Sequence, residues 1–259
     1  MTTIAIDGFE VEYSQQGSGP DLLLVHSLWT DASVFDGIAP RLARARRVTT
    51  LNLPGYGASA PRPIDSIAGY ADFLRAALEA LGLGTSTDLF GNGFGAFVAT
   101  EFALRHTGRI RRLVVADVNA GFPEAGRVPF GVMAGKVTEG GMAAVLDAAI
   151  SRMFPEPFQQ AHPAVVTERK RRLATADPAA FARACRALAA LDLSARLPAL
   201  GTPTWVLCGS LDRTTPPELA EKMAALIPGA QYASIEDSGH CPMLEQPDAL
   251  IALIEGALA

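Results

Sequence analysis

The sequence predicts an α/β fold, a parallel sheet with helices on both faces, interrupted by a helical insertion. Three observations carry this. Apolar runs too short for helices alternate with segments whose apolar residues recur at helical spacing. The alternation stops between residues 120 and 197, where Ala-rich helical segments follow one another without a convincing strand, and then resumes. Polar residues gather just after several predicted strands, at the edge of a parallel sheet where ligands bind.

The elements follow in order. "TIAI" and "VEYSQ" flank Asp7-Gly8, a hairpin signal. "DLLLVHS" (21–27) is a run fit for a buried strand, and "ARRVTTLNLPG" (45–55) repeats that character and ends in Pro54-Gly55. Residues 66–84 read as a helix that begins near Asp65 and Ser66 and stops at Gly82 and Gly84, as cap preferences require. "TDLF" (87–90) is a strand, 94–108 a helix and 110–118 the next strand. After the insertion come a strand at 203–210, a helix at 216–227, a strand at 230–235 and a closing helix at 247–259. The division is therefore 1–119 with 198–259 as the core, and 120–197 as an inserted helical unit.

Composition narrows the function classes. A chain of 259 residues, 49% apolar, suits one large domain, or a domain with an inserted subdomain. A net charge of −5 gives no general reason to bind nucleic acid or an anionic membrane. Cys185, Cys208 and Cys241 have no CxxC spacing and read as free thiols in a reducing compartment. The N-terminus shows no signal-peptide pattern, and no apolar run is long enough to span a bilayer. The expectation is a cytoplasmic protein with a small-molecule substrate, as monomer or homodimer. The four histidines have no metal-ligand spacing, so neither metal nor cofactor is expected.

The strand ends hold the candidate chemistry. After 21–25 come His26, Ser27, Leu28 and Trp29; after 87–90 comes Gly91-Asn92-Gly93-Phe94-Gly95; Asn119 follows the strand at 110–118. "CGSLDRTTPP" places Asp212 just past a strand, and "DSGHCPMLEQPDAL" places His240 in a loop before the last helix. This order resembles the α/β-hydrolases, in which a nucleophile elbow, an acid and a histidine follow successive strands. The resemblance covers essentially the whole chain. It implies a mostly parallel eight-stranded sheet and a helical lid at 120–197. "VHSLWTDASVFDGIAPRLA" resembles the oxyanion loop and first helix of enol-lactonase-like members, where Ser-Leu replaces the more usual His-Gly.

The resemblance assigns roles residue by residue. His240 is the general base, Asp212 fixes its tautomer, and the backbone N–H groups of Leu28 and Phe94 form the oxyanion hole. Ser27, Trp29, Asn92 and Asn119 are candidates to bind substrate. One position departs from the family's G-x-S-x-G: here it reads Gly91-Asn92-Gly93-Phe94-Gly95, so the nucleophile's place holds Gly93 and no seryl acyl-enzyme can form there. Glycine adopts the elbow's backbone at little cost, so the elbow is expected to persist around a small void.

Several readings follow. In one, this is an esterase or lactonase whose serine was exchanged for Gly93. In another, Gly93 is natural, and His240 activates water or deprotonates the substrate. The latter opens cyclisation, elimination, C–C cleavage or the cofactor-free oxygenation found elsewhere on this fold. A third is a non-catalytic binder. "GNGFGA" also fits the dinucleotide pattern G-x-G-x-x-A, with Asp117 ending the next strand 26 positions after Gly91. That reading leaves Asp212 and His240 unexplained.

Overall fold

The computed structural model describes residues 2–259. Its eight-stranded sheet runs in the order β1-β2-β4-β3-β5-β6-β7-β8. β1 (Thr2–Ile6) and β2 (Phe9–Gln16) form an antiparallel hairpin whose turn residues, Asp7 and Gly8, both have positive φ, 49° and 82°. A two-residue turn of that kind matches the strands' twist. β2 also pairs antiparallel with β4 (Arg47–Leu51). Every other pairing is parallel, through β3 (Asp21–Val25), β5 (Asp88–Asn92), β6 (Arg112–Ala116), β7 (Thr204–Gly209) and β8 (Gln231–Ile235).

This order places the site. From β3 the chain crosses to β4 on one side, then returns past β3 to β5 on the other. The crevice at such a reversal lies outside the carboxyl ends of the two strands. Those ends are Val25, followed by His26 to Trp29, and Asn92, followed by Gly93. The central strands are buried on both faces, which is why β3 and β6 read as short continuous apolar runs. Their flanking helices include α1 (Ala39–Leu42), α2 (Ile67–Ala80) and α3 (Phe94–Arg105); Ser66 caps α2 by accepting from the Gly69 N–H.

Between β6 and β7 the chain forms α4 (Glu124–Gly140), α5 (Leu146–Met153), α6 (Glu156–Ala161), α7 (Pro163–Leu173) and α8 (Pro178–Ala190). α4 packs along α8. Where this segment leaves and rejoins the sheet, Gly121 bridges to Asp192 and the Leu193 N–H donates to Ala120 O at 2.7 Å. After β7 come α9 (Pro217–Leu226), α10 (Pro242–Glu245) and α11 (Pro247–Ala257). β4 lies within the run at 45–55, and β6 is shorter than the strand predicted at 110–118; beyond their ends the Leu53 N–H donates to His26 Nε2 and Asp117 Oδ1 accepts from the Gly209 N–H. Among the described residues, no helix is long and apolar enough to cross a membrane.

Candidate active site

The turn from β5 into α3 is sharp, with Gly93 at φ 51°, ψ −117°. Its neighbouring glycines are demanded by packing inside the protein. A Cβ on Gly91 would lie 2.5 Å from Gly95 O, and one on Gly95 would lie 2.3 Å from Val25 O. These close approaches let α3 start directly against β3. They account for the glycine spacing without a dinucleotide phosphate.

Gly93 is different. A Cβ there would lie 2.2 Å from Ser27 Oγ and 2.7 Å from His240 Nε2. The elbow persists as expected, but the expected void does not: the Ser27 hydroxyl fills it. The sequence could not give this, because it depends on which way one serine rotamer points. A Gly93→Ser variant must both displace Ser27 Oγ and hold a side chain at positive φ. Such strain costs about 1–3 kcal/mol, so its melting temperature is expected to fall by roughly 2–10 °C. Thermal unfolding followed by circular dichroism checks this, and an added Ser27→Gly exchange should recover part of the loss.

His240 and Asp212 meet at the other wall. His240 Nδ1 lies 2.9 Å from Asp212 Oδ2, with both residues buried. Asp212 follows β7, in a tight turn that feeds it further donors. Thr215 Oγ1 donates to Oδ2 at 2.6 Å, and the N–H groups of Thr214 and Thr215 donate to Oδ1 at 2.7 and 3.2 Å. A carboxylate with this many donors stays ionised, so His240 carries its neutral-state proton on Nδ1 and leaves the Nε2 lone pair facing position 93. Burial disfavours the imidazolium, but the Asp212 charge and hydrogen bond, with Asp117 and Glu245, outweigh it and raise the His240 pKa above 6.5. Burial likewise works against ionised Asp212, yet His240 and the donor set hold its pKa below the usual carboxylate value. Burial pushes Glu245 up to about 7, although it accepts from the N–H groups of Gly239 and Cys241 on either side of His240.

Asp117 is a structural strut that sequence reading undervalued. It sits at φ 57° at the end of β6 and is fully buried. Its Oδ1 accepts from the Gly209 N–H at 2.9 Å and its Oδ2 from Asn92 Nδ2 at 2.7 Å. It thereby ties β7 to the elbow. Burial, reinforced by the Asp212 charge, pushes its pKa well above the ordinary value. Asp117, Asp212 and His240 offer potential metal-ligand atoms within 4.8 Å of one another. The oxygens of both carboxylates already accept hydrogen bonds from the protein.

The loop after β3 is held rigidly. His26 Nε2 accepts from the Leu53 N–H at 3.0 Å, so Nδ1 carries the proton and donates to Ser27 O at 2.8 Å. Burial lowers the His26 pKa to about 4. His26 is therefore a neutral brace. Because the C=O and N–H of a trans peptide point opposite ways, fixing Ser27 O also fixes the direction of the Leu28 N–H. Tyr56 Oη donates to Leu28 O at 2.8 Å and holds the next peptide. Neither the Leu28 N–H nor the Phe94 N–H finds an acceptor among the described residues. Phe94 is the first residue of α3, where unpaired donors and the helix dipole favour negative charge.

A narrow cleft with about 10 Å³ of free space, room for roughly one water, joins these groups, and Ser27, Leu28, Trp29, Gly93, Phe94 and His240 all line it. Its outer wall comes from Phe122, Phe130 and Leu188, which sequence reading missed because side-chain directions in 120–197 cannot be read from periodicity. Asn92 and Asn119 do not line it. Asn92 Nδ2 donates to Asp117 and, at 3.3 Å, to His240 O, while Asn119 Oδ1 accepts from the Gly121 N–H. Their expected place against a substrate is corrected: Asn92 lies behind the site and Asn119 braces the neck of the helical segment. A larger groove of about 370 Å³ runs past Arg152, Phe154 and Arg213 but touches neither Gly93 nor His240. Two cleft residues carry buried polar atoms without a partner, Ser27 Oγ and Trp29 Nε1.

The model of the alpha/beta hydrolase family matches residues 22–253. The chain belongs to this family. Among curated relatives, this alpha/beta hydrolase is 30% identical over 258 residues to pimeloyl-[acyl-carrier protein] methyl ester esterase of Aromatoleum aromaticum, covering 91% of this chain and 97% of that one. It also matches polyketide synthase ThaQ of Burkholderia thailandensis at 28% identity, with 93% of this chain spanning 12% of that protein. Among solved structures, a thermophilic esterase of Thermogutta terrifontis shares 30% identity at a TM-score of 0.90, covering 100% and 96% of the two chains. The enol-lactonase of Burkholderia xenovorans LB400 shares 26% identity at a TM-score of 0.91, covering 99% of each.

Proposed function

We propose that this alpha/beta hydrolase cleaves a small ester or lactone, with His240 as general base and the Leu28 and Phe94 amides as oxyanion hole. The observation that carries the reading is the buried His240–Asp212 pair at 2.9 Å, with Nε2 turned to the place of the absent serine. A binder has no use for an oriented base beside two unpaired amides. The substrate's carbonyl oxygen takes the two N–H groups, which stabilise the charge that develops on it during attack. The attacking oxygen comes from somewhere other than residue 93, and its proton goes to Nε2. Asp212 keeps the ring in the right tautomer and stabilises the imidazolium.

The cleft's walls support an apolar acyl group. They are largely aromatic and aliphatic, and Trp29 Nε1 remains free to donate to one polar group of the substrate. In this reading residues 120–197 act as a lid, because Phe122, Phe130 and Leu188 close the cleft's outer side. The esterase and lactonase relatives point to the same class of bond.

A panel of short p-nitrophenyl esters, aliphatic methyl esters and small lactones tests the assignment. Saturable turnover of at least one class by the protein with Gly93 is expected. Binding without turnover across the panel would instead indicate a receptor, and turnover confined to C–C cleavage or oxygenation of an acidic substrate would keep the base but replace the reaction.

A further inference from the structure

We propose that Ser27 is the nucleophile of this enzyme, its hydroxyl having taken over the task of the absent residue-93 side chain. This rests on the hydrolase reading above and deepens it. Ser27 Oγ lies 2.2 Å from the point where a Cβ of residue 93 would stand, which is itself 2.7 Å from His240 Nε2. Two atoms so placed are at most 4.9 Å apart. The Ser27 hydroxyl lines the cleft, is buried, and has no hydrogen-bond partner. A buried hydroxyl left unpaired is uncommon and costs stability unless something uses it. Rotation about Cα–Cβ moves the oxygen by about 2 Å between staggered positions, a reach comparable to the gap to be closed. Such bonds are often loose before substrate arrives.

The local geometry repeats the logic of the elbow. There, the attacking oxygen would belong to residue 93 and one oxyanion donor is the N–H of the next residue, Phe94. Here the oxygen belongs to Ser27 and the next residue's N–H, Leu28, is the other donor. A carbonyl oxygen seated between the two amides therefore has an attacking oxygen beside it from either strand end, and in this chain only Ser27 offers one. The loop that carries Ser27 is rigid, since its carbonyl accepts from His26 Nδ1 and its N–H donates to Thr30 Oγ1 at 3.1 Å.

The chemistry balances without a co-reactant. His240 Nε2 takes the Ser27 proton as Oγ bonds to the carbonyl carbon, and the displaced electron pair rests on the oxygen held by the amides. Collapse breaks the ester C–O bond, and the leaving oxygen takes the proton from Nε2. Water then attacks the acyl-Ser27 ester and gives its proton to Nε2. The second collapse releases the carboxylic acid and returns the proton to Ser27 Oγ.

A fluorophosphonate probe tests this, because attack by a serine oxygen forms an O–P bond and expels fluoride. The wild-type protein is treated with the probe, digested, and the adduct is located by mass spectrometry, beside ester turnover for the wild type and Ser27→Ala. The expected result is one adduct on Ser27, absent from Ser27→Ala, with turnover lowered by about 10³-fold or more in that variant. A merely structural role for Ser27 would leave no adduct there. Turnover by the wild type with no adduct on Ser27, and with Ser27→Ala still active, would overturn the proposal in favour of a water activated by His240, leaving the hydrolase reading intact. Neither turnover nor adduct in the wild type would overturn both.

Discussion

Exchange of His240 for alanine is expected to lower kcat for ester or lactone hydrolysis by about 10⁴-fold or more, with a far smaller change in KM. Among the described residues that line the cleft, His240 is the only one with a titratable side chain. The nearby buried carboxyls and the second histidine are committed: Asp212 to His240 and its own turn, Asp117 to Gly209 and Asn92, Glu245 to two backbone N–H groups, and His26 to Leu53 and Ser27. None can take the proton in its place. The His240 backbone donates to Met153 O at 3.0 Å whatever the side chain, so the loop should keep its anchor to α5 and the variant should fold. Steady-state rates on the best substrate, beside a melting curve, separate lost chemistry from lost structure.

Asp212→Asn carries the second large expected effect, a loss of about 10⁴-fold in kcat. The two backbone donors from Thr214 and Thr215 decide how the new amide sits. They require an oxygen at the Oδ1 position, which turns the amide NH₂ toward His240 Nδ1. An NH₂ group there is met best by a ring nitrogen without a proton. The imidazole proton then moves to Nε2, and the ring can no longer accept one from the attacking oxygen. Steady-state kinetics of this variant, compared with His240→Ala, check that the two losses are of similar size. A double variant should lose little beyond either single one, because the pair acts as a unit.

The fold was legible because its signals are local and strong. The continuous apolar runs of β3 and β6 follow from burial on both faces, Asp7-Gly8 marks the turn between β1 and β2, and Ser66 marks the start of α2. The order of Gly93, Asp212 and His240 along the chain carried the resemblance, and the three lie close together in the structure. What stayed hidden depends on side-chain direction. Ser27 Oγ fills the space at Gly93 through its rotamer. Asn92 turns inward because Asp117, at positive φ, presents a carboxylate to it. Phe130 and Leu188 reach the cleft through the packing of α4 along α8, and Phe122 reaches it from the segment just before α4. None of these follows from residue type or spacing.

The dependence of kcat/KM on pH tests the central claim most directly. A base works only when neutral, and the surrounding carboxylates raise the folded-state pKa of His240 above 6.5. Activity should therefore be lost as pH falls through that raised value, and be complete on its alkaline side. The expected profile on the best ester or lactone is one acid limb with its midpoint above pH 6.5. A rate that stays flat between about pH 5 and 9, or an acid limb near pH 4–5 that a carboxylate base would give, would contradict His240 as the group that takes the proton.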